Sequence, residues 1–149
     1  MATPTATRST LVAVDTNFLL DLATPKDKAE DTVETFRRRV PGVEFVILPT
    51  VIDEVSAIAN YSDIAADREL ARTALTKLVR VWKFRPLDFI PVGHGIVAEI
   101  ARKLRGENLI PEVEVNDSYI LAEAALAGCT ILITSDTHKR PAKLLVAAF

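Results

Sequence analysis

The stretch LVAVDTNFLL, residues 11–20, changes from one hydrophobic pattern to another within a few residues. Its first part, Leu11–Val14, is a continuous apolar run, which is typical of a buried strand in a parallel sheet. Asp15 ends that run, and the apolar residues that follow Asn17 open a helical pattern. The stretch therefore predicts a strand that ends in a carboxylate and leads directly into a helix. By itself, Asp15 is either a helix cap or one part of a site assembled from distant pieces of the chain.

The same alternation of strand and helix continues along the chain. Short apolar runs predict further strands at Glu44–Leu48, Phe89–Val92 and Cys129–Thr134, with a weaker candidate at Leu144–Phe149. The segments with helical patterns are Asn17–Leu22, Asp27–Arg39, Thr50–Ala59, Ile64–Lys83, Gly95–Leu104 and Asn116–Ala127. Such alternation predicts an α/β fold with a mainly parallel sheet and helices on both of its faces.

Length and composition are those of one globular domain. The chain has 149 residues, of which 49% are hydrophobic and 26% charged, and we expect a single domain over residues 11–149. Residues 1–10, MATPTATRST, are small and polar, and we interpret them as a flexible tail rather than a signal peptide. No apolar run has the length of a membrane span. The single cysteine, Cys129, excludes an internal disulfide and is expected in the core, so we expect a cytoplasmic protein.

The net charge of −2 does not by itself indicate a nucleic-acid partner. Basic residues are nevertheless clustered locally, and these clusters are either solvated helix faces or a positive rim around a negative centre. The clusters are Arg37–Arg39; Arg68 and Arg72; Lys77, Arg80, Lys83 and Arg85; Arg102, Lys103 and Arg105; and His138–Arg140.

Four acidic residues are predicted at or near the carboxyl ends of strands. Asp15 ends the first strand, and Glu54 lies near the start of the helix after the second strand. Asp117 opens the last predicted helix, and Asp136 follows the strand CTILIT. Because parallel strands bring their carboxyl ends to one edge of a sheet, we expect the four side chains to converge there.

Each acid also has an ordinary interpretation. An aspartate at a helix start stabilises the helix by about 0.5–2 kcal/mol through its hydrogen bonds and the helix dipole. Glu54 is harder to explain in this way, because we expect Thr50 to be the cap of its helix and Asp53 to complete a capping box.

A cluster of four carboxylates requires neutralisation. Two unit charges about 4 Å apart repel each other by roughly 4 kcal/mol at an effective dielectric constant of 20. Oxygen ligands favour Mg²⁺ or Mn²⁺ over zinc, and the two histidines show no zinc spacing; we expect His94 in a loop. A divalent cation held by carboxylates is a standard arrangement for phosphodiester hydrolysis. Asn17, Thr134 and Ser135 either assist such a site or make ordinary turn and strand-end hydrogen bonds.

Taken together, these motifs resemble those of PIN-domain nucleases. The resemblance is carried by VAVDTNFLL, by the acid in LPTVIDEVSAI, by NDSYILAEAALAGCTILIT and by the closing TSDTH, from about Leu11 to about His138. It implies a three-layer α/β/α sandwich with a central, mainly parallel sheet and Mg²⁺- or Mn²⁺-dependent ribonuclease activity. The catalytic and metal-binding residues that it implies are Asp15, Glu54, Asp117 and Asp136, with Asn17 and Thr134 as helpers. Glu112 and Glu114 are competing acids nearby.

Many small PIN-domain proteins that this chain resembles are VapC-type toxins. The resemblance thus implies an RNA substrate and a small antitoxin partner. It also implies an assembly that is often a homodimer, and no membrane partner. Trp82 is expected in the core rather than at an interface.

Two other functions remain open. The chain can be a non-catalytic PIN-like module that binds RNA or a protein, although the intact set of four acids argues against it. A haloacid-dehalogenase-like phosphatase needs a D-x-D pair after the first strand, and Asn17 occupies the second position of that pair.

Overall fold

The first strand lies in the middle of the sheet. The computed structural model describes residues 9–25, 27–135 and 143–146. Its strands are β1 (Thr10–Val14), β2 (Val43–Ile47), β3 (Arg85–Pro86), β4 (Ile131–Thr134) and β5 (Lys143–Val146). They form one sheet in the order β3-β2-β1-β4-β5. The first four strands are parallel, and β5 runs antiparallel to β4.

Six helices accompany these strands in the described part of the chain. They are α1 (Thr16–Ala23), α2 (Asp27–Arg39), α3 (Pro49–Tyr61), α4 (Ala65–Lys77), α5 (Pro91–Gly106) and α6 (Val115–Ala127). With the mainly parallel sheet they form an α/β/α sandwich, and the predicted fold class is confirmed. Within the described ranges, no helix has both the length and the apolar character needed to cross a bilayer.

The apolar runs quoted above form the centre of the core. Residues 12–14 of β1, residues 45–47 of β2 and Leu48, which directly follows β2, are buried. The ring of Phe45 stacks on that of Phe84 with 5.1 Å between centroids, and Trp82 packs against Phe84 at 5.9 Å. Trp82 and Cys129 are both buried, as expected from the sequence.

The strand predicted at Phe89–Val92 is wrong. The third strand lies earlier, at β3, and residues 91 and 92 already belong to α5. Pro91 starts that helix at its first position, where a missing N–H has no cost. Ile90 and Val92 are 71% and 66% exposed, so the apolar run that predicted a buried strand lies at the surface. His94 lies in the first turns of α5 rather than in a loop.

The helix predicted at Ile64–Lys83 is shorter than expected, because α4 ends at Lys77. The amide of Trp82 donates to the carbonyl of Lys77 at 2.9 Å, and Lys83 has a left-handed backbone with φ of 59°. This tight turn lets the chain leave the helix, bury Trp82 and Phe84, and enter β3.

The strand order places a topological switch point beside β1. From β1 the chain proceeds outward through β2 and β3, and it then returns to place β4 on the other side of β1. The carboxyl ends of β1 and β4 are therefore neighbours, at the position where α/β sheets commonly bind ligands.

Candidate functional site

Asp15 lies at the end of β1 and also caps α1. Its backbone is extended, and its Oδ1 accepts a hydrogen bond of 2.9 Å from the amide of Phe18. Burial raises the pKa of Asp15, whereas hydrogen bonds from the Thr134 side chain and from the backbone of Phe18 and Ser135 lower it. The negative charge of Glu54 raises that pKa further. The two interpretations of Asp15, cap and site residue, are therefore compatible.

Glu54 lies in the second turn of α3 and faces the start of α1. Its Oε1 accepts a hydrogen bond of 3.1 Å from the hydroxyl of Thr16, which is buried. The motif at residues 15–17 indicated Asn17 instead of Thr16, and Asn17 is exposed. In the sequence, the role of Thr16 beside Glu54 could have been inferred from its position directly after Asp15, at the same edge of the sheet.

Asp117 lies in the first turn of α6, and its carboxyl group is affected by both other acids. Partial burial raises its pKa, and the charges of Glu114, Glu54 and Asp15 raise it further, to about 6. Three acids predicted from separate parts of the sequence thus interact electrostatically. Of the two competing acids, Glu114 is the one that contributes to this shift.

The end of β4 completes the described part of this region. The side chain of Thr134 and the backbone of the buried Ser135 lie close enough to Asp15 to lower its pKa. Asp136, which the sequence predicts as the fourth acid, lies outside the described residues.

The chemistry of these side chains fits a hard divalent cation. Asp15, Glu54 and Asp117 offer only oxygen atoms, and their mutual repulsion is of the kind that a bound cation relieves. Within the ranges that the structure describes, however, no group of three Asp, Glu, His or Cys side chains is arranged to hold one ion.

A buried acid that the sequence analysis did not assign, Glu123, joins α6 to α3. Its Oε1 accepts a hydrogen bond from the amide of Thr50, and its Oε2 accepts one from the Thr50 hydroxyl, each at 3.0 Å. The predicted capping role of Thr50 is wrong, because α3 begins at Pro49 after Leu48. The capping box predicted for Thr50 and Asp53 is therefore wrong as well, because Thr50 already lies inside the helix. The signal in the sequence was a lone acid inside the apolar segment LAEAALAG.

An open cleft lies between α3 and α6 beside Glu54. Its volume is about 360 Å³, and the residues that line it are Thr50, Asp53, Glu54 and Ala57 from α3 and Asn116 and Tyr119 from α6. Polar groups from two helices therefore border a space next to Glu54.

Several members of the basic clusters have local partners. Arg37 donates to the carbonyl of Trp82 and lies 5.3 Å from the centre of the Phe45 ring. Arg85 pairs with Glu44, and Arg105 donates to the buried hydroxyl of Ser118 at 2.6 Å. These contacts give the three residues a role in the fold, which differs from both predicted roles, a solvated helix face and a positive rim.

The comparison with protein families decides the relationship that the motifs indicated. The sequence model of the PIN domain family matches residues 12–143, which is most of the chain. The chain belongs to the PIN domain family. PIN domains are typically nucleases, and they generally use divalent metal ions.

A similar fold is also found among solved structures. The chain is similar to one in the crystal structure of VapBC2 from Rickettsia felis bound to a DNA fragment from their promoter. The TM-score is 0.64 and the sequence identity 18%, and the match covers 85% of this chain and 88% of that chain. At this identity the likeness concerns the fold. Among curated proteins, no sequence match was found.

Proposed function

We propose that this PIN-domain protein is an Mg²⁺- or Mn²⁺-dependent endoribonuclease. The observation that carries the proposal is the electrostatic interaction of Asp15, Glu54 and Asp117 beside the carboxyl edge of the sheet, where PIN-family membership leads us to expect a nuclease site. Asp136 is the fourth acid of the proposal.

The proposed ligands of the cation are Asp15, Glu54, Asp117 and Asp136. When bound, the cation would lower the pKa of an attacking water and stabilise the negative charge that develops at the phosphate. Thr16 orients the carboxylate of Glu54, and the amide of Phe18 orients that of Asp15.

Other polar groups can assist in binding and proton release. Asn17, whose side chain is exposed next to Asp15, would contact a phosphate oxygen of the RNA. Thr134 and Ser135 would hold Asp15 in place. Asp117, with its pKa raised to about 6, would release its proton fully when the site fills.

We further propose that the enzyme is the toxin of a type II toxin–antitoxin pair. The support is the fold that it shares with a chain of the VapBC2 structure, which also contains a fragment of promoter DNA. A small antitoxin would be its regulatory partner, a homodimer its assembly and the cytoplasm its location.

The direct test is cleavage of RNA by the purified chain. We expect cleavage with Mn²⁺ or Mg²⁺, none with EDTA, and a loss of roughly a hundredfold or more in Asp15→Asn and Asp117→Asn, since each variant weakens cation binding and transition-state stabilisation. Asp63→Asn changes an exposed acid between α3 and α4 and serves as the matched control, with unchanged activity expected. In a bacterial host, the wild type should arrest growth and Asp15→Asn should not.

A negative result would favour the alternative function. If Mn²⁺ causes no thermal shift and the folded wild type cuts none of a varied set of RNAs, the chain is a non-catalytic module that binds RNA or a protein. Cleavage that persists at full rate in Asp117→Asn would contradict the proposed ligand set.

A further inference from the structure

A buried carboxylate that the proposed chemistry does not use connects the two helices that carry Glu54 and Asp117. Glu123 is 3% exposed, and both of its oxygens accept hydrogen bonds from one residue, Thr50. Burying a carboxylate is unfavourable unless such bonds offset the loss of water. Glu123 and Thr50 are 73 residues apart in sequence, so their contact is a long-range one that joins α6 to α3.

The bridge supplies a cap that α3 otherwise lacks. The aliphatic side chain of Leu48, the residue before the helix, cannot accept a hydrogen bond, and Pro49 has no N–H. The amide of Thr50 is therefore the first donor of the helix that needs a partner. A serine or aspartate at position 48 would satisfy this need locally. A carboxylate from α6 does so as well, and in addition it fixes the first turn of α3 to the middle of α6.

Rigid helix connects the bridge to each acid. Thr50 and Glu54 are four residues apart on one face of α3, which corresponds to a rise of about 6 Å. Glu123 and Asp117 are six residues apart in α6, a rise of about 9 Å. The bridge therefore links the backbone positions of Glu54 and Asp117 through two short segments of helix.

We propose that Glu123 is a positioning residue of the nuclease site, which through Thr50 sets the separation of Glu54 and Asp117. This inference rests on the proposed function. It also assigns to Thr50 a role in shaping the cleft between α3 and α6, which Thr50 and Glu54 both line.

Four variants separate the bridge from ordinary packing. Thr50→Val removes one of the two hydrogen bonds at nearly constant shape, and Thr50→Ser keeps both. Glu123→Leu removes both bonds, whereas Glu123→Gln can accept from the Thr50 amide and donate to its hydroxyl oxygen. Val33→Ala changes a buried residue of α2, which is not one of the two bridged helices, and is a control that loses stability.

We expect Thr50→Val and Glu123→Leu to weaken Mn²⁺ binding and to lower kcat for RNA cleavage by about tenfold to a hundredfold, the usual effect of losing a group that orients a ligand. KM should change less than kcat. Thr50→Ser and Glu123→Gln should stay close to the wild type. Val33→Ala should lower Tm while its Mn²⁺ affinity and kcat stay unchanged at a temperature where it is folded.

Hydrogen exchange of the Thr50 amide in EDTA tests the bridge without a bound metal ion. The Thr50 amide should exchange at least tenfold faster in Glu123→Leu, with the amides of β1 unchanged. If Glu123→Leu does not fold, Thr50→Val still provides the comparison of Mn²⁺ affinity and kcat.

Two results would overturn the inference. One is wild-type Mn²⁺ affinity and kcat in folded Thr50→Val and Glu123→Leu. The other is an equal loss in Thr50→Ser and Glu123→Gln, which keep the bridge. Failure of the proposed function would appear already in the wild type as absent Mn²⁺ binding and cleavage. In that case unchanged protection of the Thr50 amide in Glu123→Leu would refute the bridge itself.

Discussion

Opposing influences act on the carboxyl group of Asp15. Burial and the charge of Glu54 disfavour its ionised form, while hydrogen bonds from Phe18, Thr134 and Ser135 favour it. One of these bonds is the cap of α1, which an uncharged side chain can also provide. The contributions of charge and of capping can therefore be separated by choosing the substitution.

We expect Asp15→Asn and Asp15→Ala to differ in stability when metal is absent. Asparagine retains an oxygen for the Phe18 amide and removes the repulsion from Glu54, so its free energy of unfolding should equal or exceed that of the wild type. Alanine loses the cap and should lower the free energy of unfolding by about 1 kcal/mol relative to asparagine. Urea unfolding in EDTA measures both, and equal stability of the two variants would show that the cap is unimportant.

Cys129 is predicted to be unreactive in the folded chain. It is 3% exposed, and burial raises the pKa of its thiol from 9.0 to about 11, which reduces the thiolate fraction near neutral pH by about a hundredfold. Modification by a disulfide reagent should be slow in buffer and rapid in denaturant. Rapid modification of the native protein would place the thiol outside the core.

At the scale of elements, the turn after α4 contains a strained residue. Lys83 has a φ of 59°, a conformation that glycine adopts without the steric cost of a Cβ atom. We expect Lys83→Gly to raise the free energy of unfolding by about 0.5–1 kcal/mol.

The matched control is Lys103→Gly, which places the same change at an exposed site within α5. There glycine should lower the free energy of unfolding by about 0.5–1 kcal/mol. Urea unfolding of the two variants should give opposite signs, and a loss in both would contradict the argument from φ.

The elements that could be predicted are those whose own sequence determines them. β1, β2 and β4 are mostly apolar strands with buried residues at their centre or end, and their predicted positions are correct to within two residues. β3 has only two residues, one of them proline, and its place depends on pairing with β2 rather than on a local pattern. The apolar residues Ile90 and Val92 wrongly indicated a buried strand, because an apolar residue in the sequence is not always buried in the fold.

The site divides in the same way. The ends of β1 and β4 and the start of α6 follow from strand and helix patterns, so Asp15, Thr134 and Asp117 could be located. The hydrogen bonds of Thr16 to Glu54 and of Thr50 to Glu123 join residues 38 and 73 positions apart. Such partners depend on how helices pack, which no local pattern contains.

At the scale of the whole molecule, carboxyl groups with raised pKa values determine how stability depends on pH. Burial and the charges of neighbouring acids raise the pKa of Asp117 from 3.8 to about 6, and burial also raises the pKa values of Asp15 and Glu123. In this interval the folded chain binds more protons than the unfolded chain, so its stability decreases as the pH rises. Asp88 and Glu99 have lowered pKa values and lose their contribution only at lower pH.

We therefore expect the free energy of unfolding in EDTA to increase when the pH is lowered from 7 to 5. Asp117→Asn should reduce this increase, and Mn²⁺ should stabilise the wild type more at pH 7 than at pH 5, because protons compete for the same oxygens. Urea titrations at several pH values measure these differences. A steady loss of stability from pH 7 to pH 5 in EDTA would contradict the assigned pKa shifts.

The place of β4 beside β1 has a consequence for protein synthesis. Val12 and Ala13 pair with Ile131 and Leu132, so the two neighbouring strands at the switch point leave the ribosome far apart in time. The pairing of β1 with β2 can form early. Asp117 of α6 and Thr134 of β4, however, are synthesised only with the later part of the chain. For the proposed ribonuclease, the site would therefore be incomplete until α6 and β4 have been synthesised.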